Sequence, residues 1–294
     1  MNALRSSLVF AWMILSIIPL GTGLLVSSLV LDSGGLWRWF AGPWVRGVIG
    51  AARWIGGVDY RVHGRENLPA DDDPRRVILV SKHQSTWETF FLPGHMPRNL
   101  AFVFKKELLR IPVFGWCMAR LDMVPIDRRK RAEAWNRVAQ LGVQLMDRGR
   151  WIIMFPEGTR SERGSQGSYK SGASRLALAT DAVLLPVAVS SGKCWPRRSF
   201  WFIPGRIDVS IGAPIVPGDE SPDALMRRVE SWIEGEMRRL DPEAYADKSD
   251  PPDAMQGQAP DEQSGGPRVD KAADAVGETT SPLKPVVGDS RRRG

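Results

Sequence analysis

Cysteine is scarce in this chain of 294 residues: Cys117 and Cys194 are the only two, and they lie far apart in the sequence. A chain of this length with two cysteines is not a disulfide scaffold, and no zinc-type spacing is present. The sequence also lacks a G-x-S-x-G elbow, a glycine-rich phosphate-binding loop and any internal repeat. These absences argue against a small secreted scaffold, and they favour a reducing, cytoplasm-facing location.

Charged residues are absent from Ser7 to Leu31, a run that is long enough to cross a bilayer. A signal peptide has a shorter apolar core and a clear cleavage site, and a buried core helix is the other alternative. Pro19, Gly21 and Gly23 interrupt the middle of the run and predict a kink or a break. The run is therefore either one kinked transmembrane helix or a helical hairpin that enters a single leaflet.

Acidic residues are absent between Asp32 and Asp59. The segment instead combines tryptophan with arginine: Trp37, Trp39, Trp44, Trp54, Arg38, Arg46 and Arg53. Aromatic rings and cations without anions are typical of a segment at the level of lipid headgroups. Arginines that follow an apolar run also hold the next domain on the cytoplasmic side. We therefore predict that residues 1–57 are a membrane anchor with interfacial helices, at the cell inner membrane, and that the following domain faces the cytoplasm.

The formal net charge is +7 and the sequence pI is about 9.7. A basic excess favours a polyanionic partner, which is nucleic acid, an anionic membrane or a phosphorylated substrate. The sequence contains no recognisable nucleic-acid-binding module, and many of the cations accompany tryptophan beside the apolar run. We therefore expect membrane lipids, and no nucleic acid, as partners.

Short apolar runs alternate with helical patterns from Tyr60 to Leu240. The predicted strands are Val77–Val80, Leu100–Phe104, Trp151–Phe155, Val183–Val189 and Ile207–Ile211, and the predicted helices are Arg131–Asp147, Ala173–Ala179 and Pro222–Leu240. This alternation predicts an α/β fold, a mixed sheet flanked by helices, in a domain of residues 58–245. The remaining residues, 246–294, contain no aromatic side chain and many Pro, Gly, Asp and Ser residues, which predicts a disordered tail.

His83 and Glu88 follow the first of these strands, and α/β proteins place their sites beyond the carboxyl ends of strands. A helix that begins near Ser85 puts Glu88 in its first turn, from where the carboxylate reaches back to the imidazole. A carboxylate at one ring nitrogen fixes the tautomer and supports the imidazolium that forms when the other nitrogen takes a proton. Such a pair is able to deprotonate an alcohol. The alternative is that Glu88 only caps the helix and that His83 is an incidental loop residue.

A second polar segment follows the strand Trp151–Phe155 and holds Glu157, Gly158, Thr159 and Arg160. These residues offer a carboxylate, close approach of the backbone, a hydroxyl and a guanidinium that binds phosphate well. Lys105 and Arg128 each stand at the end of an apolar run, where solvated surface charge is the ordinary explanation. No metal site is predicted, because no ligand spacing for a metal is present.

Five motifs occur in a fixed order: HQSTWE (83–88), KKELLRIPVFGW (105–116), VPIDR (124–128), FPEGTRS (155–161) and LLPVAV (184–189). The set resembles the glycerolipid acyltransferase family, in particular the 1-acylglycerol-3-phosphate acyltransferases. The resemblance covers roughly Val77 to Val189. It is specific because the motifs are linked and ordered, whereas a lone pair of His and acid is not.

The resemblance implies roles for individual residues. His83 matches the catalytic general base of the family, and Glu88 stands where the family usually has Asp, so that an extra methylene changes the geometry of the contact with His83. The residues that match positions linked to glycerol phosphate binding are Lys105 or its neighbour Lys106, Arg128, Glu157, Gly158, Thr159 and Arg160. Pro186 matches the proline of the last motif, which is associated with the acyl donor.

The reaction that the resemblance implies is transfer of a fatty acyl group to the sn-2 hydroxyl of lysophosphatidic acid, which gives phosphatidic acid. The expected donor is acyl-CoA or acyl carrier protein, used as a co-substrate, and no bound cofactor is expected. The alternatives are an acyltransferase for another lysophospholipid or for glycerol 3-phosphate, and a non-catalytic lipid-binding protein at the membrane. The intact residues His83, Glu88, Glu157 and Arg160 argue against loss of catalysis.

Overall fold

Seven strands form one mixed sheet in the computed structural model, which describes residues 1–70, 72–127 and 131–246. The strands are β1 (Val58–His63), β2 (Val77–Ser81), β3 (Leu100–Lys105), β4 (Val124–Ile126), β5 (Trp151–Met154), β6 (Val183–Val189) and β7 (Gly205–Ile211). Their order across the sheet is β1-β7-β6-β2-β5-β3-β4. Neighbouring strands are parallel except for β6 and β7, which are antiparallel. The predicted α/β fold with a mixed sheet is confirmed.

Eight α-helices surround this sheet within the described residues: α1 (Asn2–Ser27), α2 (Ser33–Leu36), α3 (Gly42–Trp54), α4 (Trp87–His95), α5 (Phe114–Met118), α6 (Arg131–Asp147), α7 (Gly172–Thr180) and α8 (Pro222–Leu240). One π-helical turn, Trp37–Ala41, joins α2 to α3. The five predicted strands and three predicted helices are all present, with small shifts at their ends. The two edge strands, β1 and β4, are not among the strands predicted from the sequence. The predicted tail lies outside the described residues except for Ala246.

Each face of the sheet supports its own apolar core, because alternate side chains of a strand point to opposite faces. Val77 and Leu79 of β2 pack with α1, α3 and α4, whereas Ile78 and Val80 pack with α6, α7 and α8. All four side chains are fully buried. The strand therefore shows the continuous apolar run of a strand covered on both sides.

Helix α1 is the one described helix that is long and apolar enough to cross a membrane by length and composition. It does not stand apart from the sheet. Ser6, Val9, Gly21 and Leu24 are buried against the rest of the protein, and partly buried residues continue the same face between them at helical spacing. The opposite face is also apolar and is exposed along the whole helix: Leu4, Leu8, Ile14, Leu15, Ile18 and Val26. Residues 1–57 thus pack into the same compact unit as the sheet.

Helices α1 and α3 form an antiparallel pair, here called the N-terminal hairpin (residues 2–54). The ring of Trp12 lies over Gly47, and Trp44 Nε1 donates a hydrogen bond of 3.1 Å to Ser16 Oγ. Further along α1, the ring of Phe40 lies over Gly23. Later positions on α1 therefore meet earlier positions on α3 and on the π-helical turn. Glycine at these positions leaves room for the aromatic rings, so the two segments pack closely.

The packing of Trp12 on α3 can be tested by adding one methyl group to α3. A Cβ at Gly47 would lie 2.5 Å from the Trp12 ring, whereas a Cβ at Gly50 on the same helix meets nothing within 4 Å. Overpacking costs about 1–3 kcal/mol, while Gly→Ala in an open helical site gains about 0.5–1 kcal/mol. We expect Gly47→Ala to lower the midpoint of chemical unfolding in detergent and Gly50→Ala to leave it unchanged or raise it. Equal effects of the two changes would show that Trp12 does not pack on α3 as described.

Candidate active site

Five parallel strands end at the same edge of the sheet, in the order β6, β2, β5, β3 and β4. The chain leaves β2 into His83 and β5 into Glu157–Arg160, and β3 ends at Lys105. Three of the predicted motifs are therefore neighbours at this edge, as parallel strands require. Arg128 lies outside the described residues, so its contact with phosphate stays a prediction.

Hydrogen bonds connect the loop after β2 to the loop after β5. His83 N donates to Glu157 Oε2 at 3.0 Å, and Ser161 N donates to the carbonyl of His83 at 2.7 Å. Arg160 Nε donates to the carbonyl of Ser85 at 3.1 Å. The two loops are thus held as one surface, because backbone groups of one are satisfied by the other.

The Glu88 carboxylate reaches back from the first turn of α4 to the ring of His83. His83 Nδ1 lies 2.9 Å from Glu88 Oε1, and the same oxygen accepts the backbone N–H groups of Gln84 at 2.8 Å and Ser85 at 2.7 Å. The extra methylene of glutamate therefore does not prevent the contact. The two interpretations of Glu88 are also compatible, because one carboxylate caps the backbone before α4 and contacts the imidazole.

The tautomer of His83 follows from this contact. A carboxylate only accepts hydrogen bonds, so Nδ1 carries the proton and Nε2 has a free lone pair. The ring stacks on Phe155, with centroids 4.0 Å apart, and this packing fixes its plane. His83 is partly exposed, and it lines the cavity described below. The arrangement is that of an oriented general base.

Ser191, which follows β6, is a partner of Glu88 that the sequence analysis did not identify. Its hydroxyl donates a hydrogen bond of 2.6 Å to Glu88 Oε2, and both side chains are fully buried. Ser191 lies 103 positions further along the chain than Glu88. No local pattern marks such a residue, although β6 and β2 are adjacent in the sheet. The hydroxyl holds the oxygen of Glu88 that does not contact His83.

A buried lysine, Lys82, lies directly before His83 and was also missed. Its Nζ donates to Glu234 Oε1 at 2.7 Å and to the carbonyl of Ser165 at 3.0 Å. Nζ is also 2.7 Å from Glu157 Oε1, an ionic contact without hydrogen-bond alignment. The side chains of Lys82, Glu157 and Glu234 are almost completely buried. We call these three residues the buried ion cluster.

The buried ion cluster places Glu157 behind the cavity. Its carboxylate is turned toward Lys82 and the backbone of His83, and it does not line the cavity, whereas Gly158, Thr159 and Arg160 do. The predicted contact of Glu157 with substrate therefore stays a prediction, and its contacts in the structure position the loop that carries His83.

Tyr169 completes the surroundings of the buried ion cluster. Its hydroxyl donates to Glu234 Oε1 at 2.7 Å. Burial, with the charges of Glu234 and Glu157 as further causes, raises the pKa of Tyr169 far above its ordinary value. The phenol therefore stays protonated over the physiological range and remains a donor to the carboxylate.

A cavity of about 570 Å³ opens in front of His83. Most of its wall is apolar and comes from the N-terminal hairpin, α4, β3 and α5: Ile17, Leu20, Leu24, Phe40, Trp44, Phe90, Phe102, Phe104, Phe114 and Cys117 belong to it. The polar residues in the wall are His83, Thr86, Thr89, Lys105, Thr159 and Arg160. A ligand that combines an apolar chain with a charged head fits a wall of this composition.

Two described cations line the cavity, Arg160 and Lys105. Arg160 is held through its hydrogen bond to the carbonyl of Ser85, and Lys105 Nζ is half-exposed, 3.5 Å from Glu107 Oε1. Gly158, between Glu157 and Thr159, has φ +68°, a left-handed conformation that favours glycine. A Cβ there would also lie 2.9 Å from Lys170 Nζ. Gly158 is therefore required by the backbone conformation of the loop and by the packing of Lys170 beside it, and it forms part of the cavity wall.

The other two histidines lie outside the cavity. His63 Nε2 is 3.0 Å from Asp208 Oδ1, between β1 and β7. His95 packs on Tyr60 and Phe91 at the end of α4, and burial lowers its pKa. Neither residue lines the cavity. Of the three histidines, only His83 combines a carboxylate partner with access to this space.

The chain is similar to proteins of known function. The sequence profile of the family described as Acyltransferase matches residues 59–190. The 1-acyl-sn-glycerol-3-phosphate acyltransferase of Pseudomonas aeruginosa is 34% identical over 244 residues, which are 82% of this chain and 93% of that protein. The chloroplastic enzyme of the same name, LPAT1 of Arabidopsis thaliana, is 33% identical over 159 residues, 52% of this chain and 43% of that protein. The crystal structure of the lysophosphatidic acid acyltransferase PlsC of Thermotoga maritima superposes with a TM-score of 0.68 at 26% identity, over 82% of this chain and 96% of that one.

The buried ion cluster predicts that Lys82→Met lowers the free energy of unfolding much more than Arg75→Met does. Lys82→Met leaves two buried carboxylates without their cation, which costs about 3–5 kcal/mol of the free energy of unfolding. The control is Arg75→Met, which breaks an ion pair with Asp73 in which Arg75 is half-exposed, worth about 0–1 kcal/mol. Denaturant unfolding measures both. A loss for Lys82→Met no larger than that for Arg75→Met would contradict the role given to the cluster.

Proposed function

The chain belongs to the acyltransferase family, and from this premise we propose that it transfers a fatty acyl group to the sn-2 hydroxyl of 1-acylglycerol 3-phosphate. The product is phosphatidic acid, a precursor of phospholipids. The observation that carries the proposal is the oriented pair of His83 and Glu88 at the wall of a mostly apolar cavity. The names of the related enzymes support the same acceptor.

The pair performs the transfer in one attack. His83 Nε2 takes the proton of the acceptor hydroxyl as that oxygen attacks the thioester carbonyl of the donor. A C–O bond forms, the C–S bond breaks, and the thiolate leaves with the proton that His83 returns. Glu88 stabilises the imidazolium between these steps, because its carboxylate lies 2.9 Å from Nδ1.

Direct transfer is consistent with the state of both cysteines. Burial raises the pKa of Cys194 to about 11 and also raises the pKa of Cys117. Near neutral pH both side chains are therefore thiols, and the thiolate is the nucleophilic form. The donor in this proposal is an acyl thioester, acyl-CoA or acyl carrier protein, and its acyl group passes to the acceptor without an acyl-enzyme.

The apolar and cationic parts of the cavity suit the two ends of the acceptor. The acyl chain lies among the aromatic side chains of the N-terminal hairpin, α4 and β3. The phosphate lies near Arg160 and Lys105, with Gly158 and Thr159 in the cavity wall beside it. Arg128 is a further cation in this proposal, by its place in the sequence.

The membrane supplies this acceptor, and the exposed apolar face of α1 suits a position in lipid. Because its other face is packed on the protein along its whole length, we propose that α1 lies within one leaflet and does not span the bilayer. The arginines Arg38, Arg46 and Arg53 then lie near the headgroups. In a bacterial cell this arrangement corresponds to the inner membrane, with the sheet on the cytoplasmic side.

His83 is the residue whose loss affects the chemistry most. We expect His83→Ala to lower the rate of acyl transfer by about 10²- to 10⁴-fold, because the general base is lost. His63→Gln and His95→Gln are matched controls outside the cavity and should keep the parental rate. Transfer of labelled acyl groups to lysophosphatidic acid in detergent micelles measures all three. A rate within a few-fold of the parent for His83→Ala would remove His83 from the mechanism.

Arg160 sets the preference for a phosphorylated acceptor in this proposal. The ratio of kcat/KM for lysophosphatidic acid over monoacylglycerol measures that preference. Since hydrogen bonds to charged groups are worth about 1.5–3 kcal/mol, Arg160→Ala should lower the ratio by about 10- to 100-fold. Arg160→Lys should recover part of it, because lysine keeps the charge without the planar guanidinium.

The control for Arg160 is Arg228→Ala, a surface arginine paired with Glu220 on the other side of the sheet. It should leave the ratio unchanged. The contrary result is an equal loss of activity toward both acceptors in Arg160→Ala, without recovery in Arg160→Lys. It would show that Arg160 supports the loop and does not bind the phosphate.

A further inference from the structure

The segment between β6 and β7 exposes three large apolar side chains within four positions. Phe200 is 72% exposed, Trp201 53% and Ile203 47%. We call residues 196–204 the β6–β7 loop. Scattered single apolar residues are normal on a protein surface, but three within four positions form a patch that marks an interaction site.

The backbone of the β6–β7 loop is fixed by hydrogen bonds. Trp201 N donates to Ser199 Oγ at 2.9 Å, and Ile203 N donates to the carbonyl of Cys194 at 2.8 Å. Phe202, between the exposed residues, is buried and its ring packs on that of Trp195, 4.4 Å between centroids. The side chain of Phe202 therefore points into the protein, and the side chains on either side of it point into solvent. Their exposure follows from a backbone that is fixed by hydrogen bonds.

Acidic residues are absent from the chain between Asp181 and Asp208. Arg197 and Arg198 stand directly before the apolar patch, and Arg206 follows it. Arg206 Nε is 4.0 Å from Asp208, at the far limit of an ion pair. Apolar and aromatic residues flanked by cations are the composition that favours the surface of an anionic bilayer.

The β6–β7 loop is continuous with the beginning of α1. The ring of Phe10 lies 5.9 Å from that of Phe200 and 5.8 Å from that of Phe202. The backbone N–H of Phe202 donates to Ser6 Oγ at 2.8 Å. The exposed Leu4 and Leu8 belong to the same two turns of α1. The apolar patch of the loop therefore adjoins the exposed apolar face of α1 at the first turns of the helix.

We propose that the β6–β7 loop is a second membrane contact, which inserts Phe200, Trp201 and Ile203 into an anionic lipid leaflet beside the first turns of α1. Arg197 and Arg198 lie at the level of the lipid phosphates. The inference rests on the proposed position of α1 in lipid, and it is independent of the acyl-transfer chemistry. The contacts of the N-terminal hairpin all belong to one end of the chain, and a contact on its other side limits rotation about the axis of α1. A second contact beside it fixes the rotation and with it the direction in which the cavity faces the bilayer.

A single fluorescent label on the full chain tests the depth of the loop. Trp201→Cys is labelled with an environment-sensitive dye, and the protein is bound to vesicles of phosphatidylcholine and phosphatidylglycerol that contain spin-labelled lipid. The matched control is Val216→Cys, which is 60% exposed and follows β7 beside Ile215, a residue packed with the α8 core. The parent chain, whose two cysteines are buried, gives the background of labelling. We expect quenching at position 201 by spin labels near the headgroups and no quenching at position 216.

Equal weak quenching at both positions would overturn the proposal, because the loop then faces water. A signal at position 201 that changes with protein concentration in the absence of vesicles would also overturn it, since the patch then binds a second copy of the chain. Neither readout requires catalysis, so they decide the position of the loop even if the proposed function fails.

An activity measurement separates lipid contact from a structural role. Phe200→Ser, Trp201→Ser and Ile203→Ser are combined in one chain, and none of these residues lines the cavity. We expect acyl transfer to fall several-fold with acceptor in vesicles and to stay at the parental rate in detergent micelles, where orientation on a bilayer is not needed. An equal fall in both media would show that the loop supports the fold, and the proposal would be wrong.

Discussion

The buried carboxylate of Glu88 is the interaction on which the site depends. A buried carboxylate is tolerated only when hydrogen bonds compensate its lost hydration, and Glu88 has four donors: His83 Nδ1, Gln84 N, Ser85 N and Ser191 Oγ. These donors come from the loop after β2 and the loop after β6, and Glu88 itself belongs to α4. One side chain therefore fixes the beginning of a helix, the position of a neighbouring loop and the tautomer of the base. The local fold and the chemistry use the same contacts.

The sequence predicts the parts of this arrangement that depend on short patterns. Apolar runs such as Val77–Val80 identify strands that are covered on both faces, and their carboxyl ends locate His83 and Glu157–Arg160. Edge strands are harder to predict, because β1 reads Val-Asp-Tyr-Arg-Val-His and β4 has three residues. Lys82 and Ser191 were missed for another reason. Their partners are distant in the chain, and Glu234 resembles the surface charges of α8 although it is buried.

The N-terminal hairpin has two faces with different surroundings. A domain boundary at residue 57 would separate the hairpin from the domain whose cavity it lines. Its exposed face is suited to lipid, and its inner face supplies Ile17, Leu20, Phe40 and Trp44 to the wall of the cavity. In the position that we propose for α1, an acyl chain that leaves the bilayer along this helix would meet the apolar wall before it meets water. The acyl chain would then stay desolvated throughout its path, which an anchor attached by a flexible linker would not provide.

The pairing of β1 with β7 sets the order in which the protein is assembled. β1 begins at Val58 and its partner β7 begins at Gly205, and Ser6 of α1 accepts a hydrogen bond from Phe202. The contacts of β1 and α1 with this region thus form only after β7 is synthesised, and such distant pairings form slowly. Until then α1 packs on earlier segments such as α3, and the rest of its apolar surface is uncovered. In the position that we propose for α1 within one leaflet, early entry into lipid would cover this surface while the rest of the chain is synthesised, so that the bilayer would take part in folding.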